Sequence, residues 1–352
     1  MMPTLSDPLL VALIGLFGGV LLGLAARLGR FCTMGSIEDY LYAQNDTRLR
    51  MWGTAIGVAI TGTFLLARFG QLDLGQTYYF SVAWMPMASI FGGLVFGYGM
   101  ALAGNCGFGS LARLGGGDMR AFVIVLVMGV SAYAVLSGPL AYLRIWAFPQ
   151  GEPTSVVPQG VAHLLADIAG VQPTTVGIVI GLALIVWMLS SSGFRSQPKY
   201  IIWGAVVGLA IVSGWAGTQW VADTGFSALP VVSHSFSAPV GESILYIMTA
   251  SGRDLSFALG SVTGVLTGAF IGSLIKGHFR WEACEDPREL KRQILGAVLM
   301  GVGAVVALGC TVGQGITAFS TLTYSAPVTF ASIFLGAAFG LRQLITGFQP
   351  AE

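Results

Sequence analysis

The sequence predicts an all-α polytopic membrane protein with about nine transmembrane helices plus short re-entrant half-helices. Three observations predict it. Of the 352 residues, 55% are hydrophobic and only 9% are charged, against about 25% charged in soluble domains, so ionic groups cannot cover a water-facing surface. The mean hydropathy is +0.78. Fifty glycines, about twice the usual share, lie inside apolar runs, where glycine suits close helix packing and broken helices in a bilayer. A net charge of +1 and the lack of any basic tract argue against a nucleic-acid partner.

About 20 apolar residues cross a hydrocarbon core of roughly 30 Å, and the chain offers nine such runs. The first, 9–27, follows Asp7 and precedes Arg27 and Arg30. A signal peptide would place its positive charge first and carry a small-residue cleavage pattern, so this run reads as a retained span. The others are 52–68, 84–104, 121–146, 173–192, 200–220, 255–275, 293–309 and 326–345. Arg48, Arg50, Arg113, Arg120, Arg195, Lys199 and five basic residues between Lys276 and Arg292 fall in alternate linkers, while linkers 69–83, 147–172 and 221–252 contain no Lys or Arg. The positive-inside rule then puts the N-terminus outside and the C-terminus inside. Two outer linkers are long. One holds a weakly amphipathic stretch, Val161 to Ile168, with His163; the other carries His234 and Glu242 and is expected to hold a short interfacial helix. Lone histidines here are expected to be solvated loop residues, since no ligand cluster surrounds them.

A repeat runs through the spans. Gly92, Gly97, Gly99, Cys106 and Gly109 recur 204 positions later as Gly296, Gly301, Gly303, Cys310 and Gly313, and a looser copy is Gly18, Gly23, Ala25, Cys32 and Gly35. With the alternation of spans, span three and span eight run in opposite directions, as do spans one and six. The chain therefore reads as an inverted 4+1+4 pseudo-repeat: 1–150 as the first transmembrane repeat, 173–192 as a linking span, and 200–345 as the second. After each cysteine comes a segment too short or interrupted to cross (Cys32 to Gln44, Cys106 to Asp118, Cys310 to Thr323). Irregular backbone at membrane depth survives only inside protein or beside a wet cavity, so each reads as a helix end, a glycine turn and a returning half-helix whose free N–H groups favour an anion.

Cys284, the fourth cysteine, sits in a charged loop and reads as an ordinary thiol. The other three share one motif. Buried cysteine often serves only as a small hydrophobe, but three at equivalent repeat positions point to a shared task. A thiol is a weak donor with a polarizable sulfur, suited to brief contact with a sulfur-bearing anion that must also be released. Arg27, Arg30 and Arg113 are placed at the inner rim, as attractors or topology anchors. No acidic residue stands in a span as a proton relay; Glu38 and Asp39, after Cys32, read as a solvated helix end. Two other classes compete: a membrane thiol enzyme passing persulfide sulfur or electrons between cysteines, and a soft-metal or selenium-compound transporter, against which the scattered methionines offer no ligand ladder.

Arg30-Phe-Cys-Thr-Met-Gly35, Gly104-Asn-Cys-Gly-Phe-Gly-Ser-Leu-Ala-Arg113 and Gly309-Cys-Thr-Val-Gly-Gln-Gly315 resemble the motifs of the YeeE/YedE sulfur-transport family over nearly the whole chain. The resemblance implies a bacterial inner-membrane protein with an inverted, pinched helical fold that imports thiosulfate or a related sulfur anion without a cofactor. By motif match, Cys32, Cys106 and Cys310 line its central path, with backbone support from Gly35, Gly107, Gly109, Gly313 and Gly315. It also implies a separate cytoplasmic TusA-like sulfurtransferase as partner, since no such domain is attached here.

Overall fold

The computed structural model describes residues 6–149, 160–283 and 286–347; Cys284 lies outside them. The described chain is helical throughout. Its helices are α1 (Asp7–Leu28), α2 (Thr33–Leu41), α3 (Thr47–Arg68), α4 (Pro86–Ala103), α5 (Gly107–Leu114), α6 (Met119–Leu136), α7 (Ala141–Ala147), α8 (Val161–Ala169), α9 (Pro173–Leu189), α10 (Ser192–Arg195), α11 (Pro198–Thr224), α12 (Ala238–Thr249), α13 (Phe257–Ile275), α14 (Pro287–Val306) and α15 (Ser325–Thr346), with a π-helical segment at Gly313–Ala318. Proline at the first turn of α1, α4, α9, α11, α12 and α14 starts each where a missing N–H costs nothing.

Each of the nine expected runs falls on a helix. Among the described residues, seven helices are long and apolar enough to cross a membrane, or eight if α8 and α9, bent by 114°, form one broken span. α9 by itself has 17 residues, and α14 begins with the charged turns Arg288 to Arg292. The run 121–146 is divided: α6 stops at Leu136 and α7 starts at Ala141. Pro139 between them lacks an N–H and disfavours helical backbone just before it. The second long linker does hold a short helix, α12, which packs on α6 and α13.

His234 departs from expectation. It is completely buried, its ring 4.9 Å from that of Phe257 and its Nδ1 2.6 Å from Ser261 Oγ. The linker folds inward between the helices, and Gly18 of α1 leaves the room that the imidazole fills.

The packing has an exchange pattern. α1 packs on α13 as α11 packs on α3; α4 packs on α15 as α14 packs on α6; α1 meets α11 and α4 meets α14. Swapping α1, α3, α4 and α6 for α11, α13, α14 and α15 leaves these pairings unchanged, which is compatible with an inverted repeat. The repeated glycines sit at the crossings. A Cβ on Gly303 would lie 2.6 Å from the Gly92 carbonyl oxygen, and one on Gly296 would lie 2.5 Å from that of Gly99, so α4 and α14 touch backbone to backbone. Along the α1–α13 contact, Gly15, Gly19 and Gly23 face Gly260, Gly264 and Gly268 at four-residue spacing. With lipid outside, such close approach supplies the packing energy that hydrophobic burial supplies in water.

Candidate functional site

The three cysteines stand behind the same backbone turn. Arg30, Gly104 and Leu308, each two residues before a cysteine, have φ of 57°, 74° and 57°. The left-handed conformation costs a non-glycine residue about 1–2 kcal/mol, yet two of the three motifs hold it without glycine. The turn interrupts the helix without reversing the chain: α1 runs on into α2 as one span, Asp7–Leu41, and α4 into α5 as another, Pro86–Leu114, so the half-helices expected to return at Cys32 and Cys106 continue forward instead. A helix begins at the residue after each cysteine: α2 at Thr33, α5 at Gly107, and a helical stretch from Thr311 that opens into the π-segment. Each sulfur is thus set at a helix start, where backbone N–H groups lack partners. Gly109 N donates to Cys106 Sγ at 3.4 Å, and Gly313 N donates to Cys310 Sγ at 3.4 Å. A sulfur that accepts an N–H leaves its own proton free to point elsewhere.

Cys32 is held differently. Its thiol donates to Asn105 Oδ1 at 3.2 Å, and the same oxygen accepts the Cys106 backbone N–H at 3.1 Å. Two donors on one atom fix the amide's orientation and tie two turns that lie 73 residues apart. Thr33 Oγ1 adds a long contact to Cys106 Sγ, 3.9 Å. Cys106 also neighbours Thr311, the residue after Cys310, whose buried hydroxyl makes no hydrogen bond of ordinary length. Ser235 Oγ is 3.8 Å from Cys310 Sγ. Cys106 and Cys310 are buried and Cys32 is partly exposed.

An aromatic wall closes around them. Phe31 stacks on Trp52 at 4.6 Å, Trp52 on Phe330 at 5.6 Å, and Phe108 lies 5.2 Å from Phe236. Among the motif glycines, only Gly109 and Gly313 donate to sulfur. Gly315 clears the Phe330 and Trp52 rings, Gly107 clears the Met128 thioether, and Gly35 lies under the Arg48 guanidinium. Among the described residues, no three His, Cys, Asp or Glu side chains converge as a metal site.

Two cavities flank the cluster. One, of about 400 Å³, is bounded by Val11, Leu136, Ser235 and Gly309, and so ends against the Cys310 turn. The other, of about 560 Å³, is bounded by Arg27, Arg113, Arg120 and Arg280 with Asp118 and Glu282. α1 contributes Val11 to the first and Arg27 to the second, some 24 Å apart at 1.5 Å per residue, so the cavities lie at opposite ends of the bundle. Neither is lined by a cysteine; Gly309, next to Cys310, borders the first, and Arg113, on the helix that Cys106 begins, borders the second. At the second cavity Arg120 pairs with Asp118 at 3.4 Å and Glu282 at 3.7 Å, and Arg280 with Glu282 at 2.8 Å. Arg27 donates to Ser273 Oγ at 2.6 Å. Arg113 is exposed at the end of α5, the helix that Cys106 begins.

A family model described as "Sulphur transport" matches residues 28–339. The chain belongs to the sulphur transport family. The match contains all three cysteine turns. Within that setting, the chain is similar to the thiosulfate transporter TsuA of Spirochaeta thermophila, 27% identical over 327 residues, covering 91% of this chain and 94% of that protein. It is also similar to the thiosulfate transporter TsuA of Escherichia coli K12, 25% identical over an alignment of 364 residues, covering 92% of this chain and 91% of that one. A multi-pass membrane protein of a sulphur transport family accounts for the long apolar helices.

Sequence reasoning missed Asn105, Ser235 and Trp52. Asn105 stands inside a recognised motif, between the turn glycine and the cysteine, and its position was a signal. Ser235 and Trp52 had none, because each reaches the cluster from a distant part of the chain.

Proposed function

We propose that this protein conducts thiosulfate, or a closely related sulfur-containing anion, across a bacterial inner membrane through Cys310, Cys106 and Cys32. The charge asymmetry of the linkers supports a periplasmic N-terminus and a cytoplasmic C-terminus, which makes the first cavity the entrance and the arginine-bearing cavity the exit. The observation that carries the reading is the placement of three thiols at three helix starts between cavities at opposite ends of the bundle. An anion entering a low-dielectric zone needs compensating donors. Free N–H groups at the helix starts and S–H protons turned away from Gly109 and Gly313 supply them weakly, and weak, successive contacts allow release. The Spirochaeta and Escherichia relatives named as thiosulfate transporters support the choice of ion. A separate TusA-like sulfurtransferase at the cytoplasmic end is the partner this reading implies.

The test is radiolabelled thiosulfate flux into proteoliposomes. Wild-type protein is expected to carry the ion unchanged, and Cys106→Ala to lose at least about tenfold in initial rate, the equivalent of about 1.4 kcal/mol on the barrier. Undiminished flux in Cys106→Ala removes the thiol path.

A further inference from the structure

The loop between α11 and α12 alternates in a way the thiol path does not use. Ser233, Ser235 and Ser237 line the first cavity, whereas His234 and Phe236 between them are wholly buried in the core. That two-residue period is the pattern of an extended chain with one face to each side. The three hydroxyls differ in what they hold. Ser233 Oγ donates to the Ile211 carbonyl at 2.8 Å. Ser235 Oγ has only the soft Cys310 sulfur at 3.8 Å. Ser237 is 1% exposed and its hydroxyl has no hydrogen-bond partner. Buried hydroxyls without partners are rare because desolvation is then uncompensated.

Three other hydroxyls at this cavity are engaged. Thr218 donates to Val232 O at 2.8 Å, Tyr79 to Gly313 O at 2.8 Å, and Ser261 is held by His234 at 2.6 Å. The two uncommitted serines stand over two different cysteine turns. A Cβ on Gly313 would lie 2.7 Å from Ser235 Oγ, and one on Gly107 would lie 3.9 Å from Ser237 Oγ; Gly107 follows Cys106 and Gly313 belongs to the Cys310 turn. Arg144 and Glu242 also line this cavity, and Arg144 Nε donates to the Val135 carbonyl at 3.2 Å.

We propose that Ser235 and Ser237 form a binding site for the oxygen end of a tetrahedral sulfur oxyanion, seated so that a terminal sulfur faces the Cys310 and Cys106 turns. This rests on the transport reading above and adds the half of recognition that thiols do not supply. Neutral O–H donors bind an anion less tightly than a guanidinium would, which suits a site the ion must leave.

Sulfate tests it, because sulfate has the oxygen end and lacks the terminal sulfur. In proteoliposomes, sulfate is expected to compete with thiosulfate uptake and to raise the thermal stability of the wild-type protein. Ser235→Ala and Ser237→Ala are each expected to raise the thiosulfate KM and the sulfate inhibition constant about tenfold, the loss of one hydrogen bond to a charged group. Ser233→Ala, whose hydroxyl is already committed to Ile211, is expected to keep both constants. Thiosulfate uptake that sulfate neither inhibits nor accompanies with stabilisation, or unchanged constants in both folded variants, overturns the oxyanion site alone. Wild-type protein that binds sulfate but carries no thiosulfate overturns the transport reading and leaves the site standing.

Discussion

Gly109→Ala should disconnect two cysteine turns without touching a cysteine. A Cβ at this position would overlap Asn105 Oδ1 and lie 2.7 Å from its Cγ, where ordinary contact begins at 3.4 Å. The amide has to withdraw, and it is the atom that withdraws which accepts both Cys32 Sγ at 3.2 Å and Cys106 N at 3.1 Å. Neither bond survives a displacement of that size. Each is worth about 0.5–1.5 kcal/mol, so the expected loss is about 1–3 kcal/mol, with Asn105 left buried and unmatched. Asn105→Ala removes the same bonds without the overlap, and in that background Gly109→Ala should cost little; the double-mutant cycle isolates the coupling. Thermal unfolding in detergent reads the stability, and the alkylation rate of Cys32, freed from its acceptor, should rise. As a comparison, Gly104→Ala strains a backbone with φ of 74° but meets nothing within 4 Å, so it should destabilise by about 1–2 kcal/mol without releasing Cys32. If Gly109→Ala costs as much in the Asn105→Ala protein as in the wild type, or leaves Cys32 alkylation unchanged, the bridge through Asn105 is not what holds the turns together.

Gly303→Ala would place a Cβ 2.5 Å from Phe96 N and 2.6 Å from Gly92 O, both backbone, and should destabilise by about 1–3 kcal/mol or more; Gly193→Ala, whose nearest neighbour would be 3.8 Å away, should not, and equal melting temperatures for the two variants would refute the backbone crossing of α4 and α14. Trp215→Phe removes a buried donor that reaches Ser320 Oγ at 2.9 Å together with part of a fully buried ring, and should lower stability by about 1–3 kcal/mol as read by denaturant or thermal unfolding.

The membrane class and the helix positions were legible because they are properties of neighbouring residues: apolar run length, the side of each linker that carries Lys and Arg, and proline at the first turn. The break at each cysteine and the new helix start after it were legible for the same reason, since a turn and a cap occupy a few consecutive residues; the direction of the following helix was not, and at Cys32 and Cys106 it runs onward rather than back. Even the break after Leu136 was written locally, in Pro139, though run length alone passed over it. What spacing does not encode is which turn meets which. Asn105 reaches Cys32 across 73 residues and so joins it to Cys106, Ser235 reaches Cys310 across 75, and His234 leaves its linker for the core because Gly18 leaves a hole beside it. Likewise the sequence by itself determined that glycines recur at fixed intervals, but their use as contact points between α4 and α14 was decided only when the two helices crossed. Local chemistry sets where the backbone turns and which groups it leaves without partners; the approach of distant helices in three dimensions decides which of those groups are satisfied and which, like the Ser237 hydroxyl, stay without one.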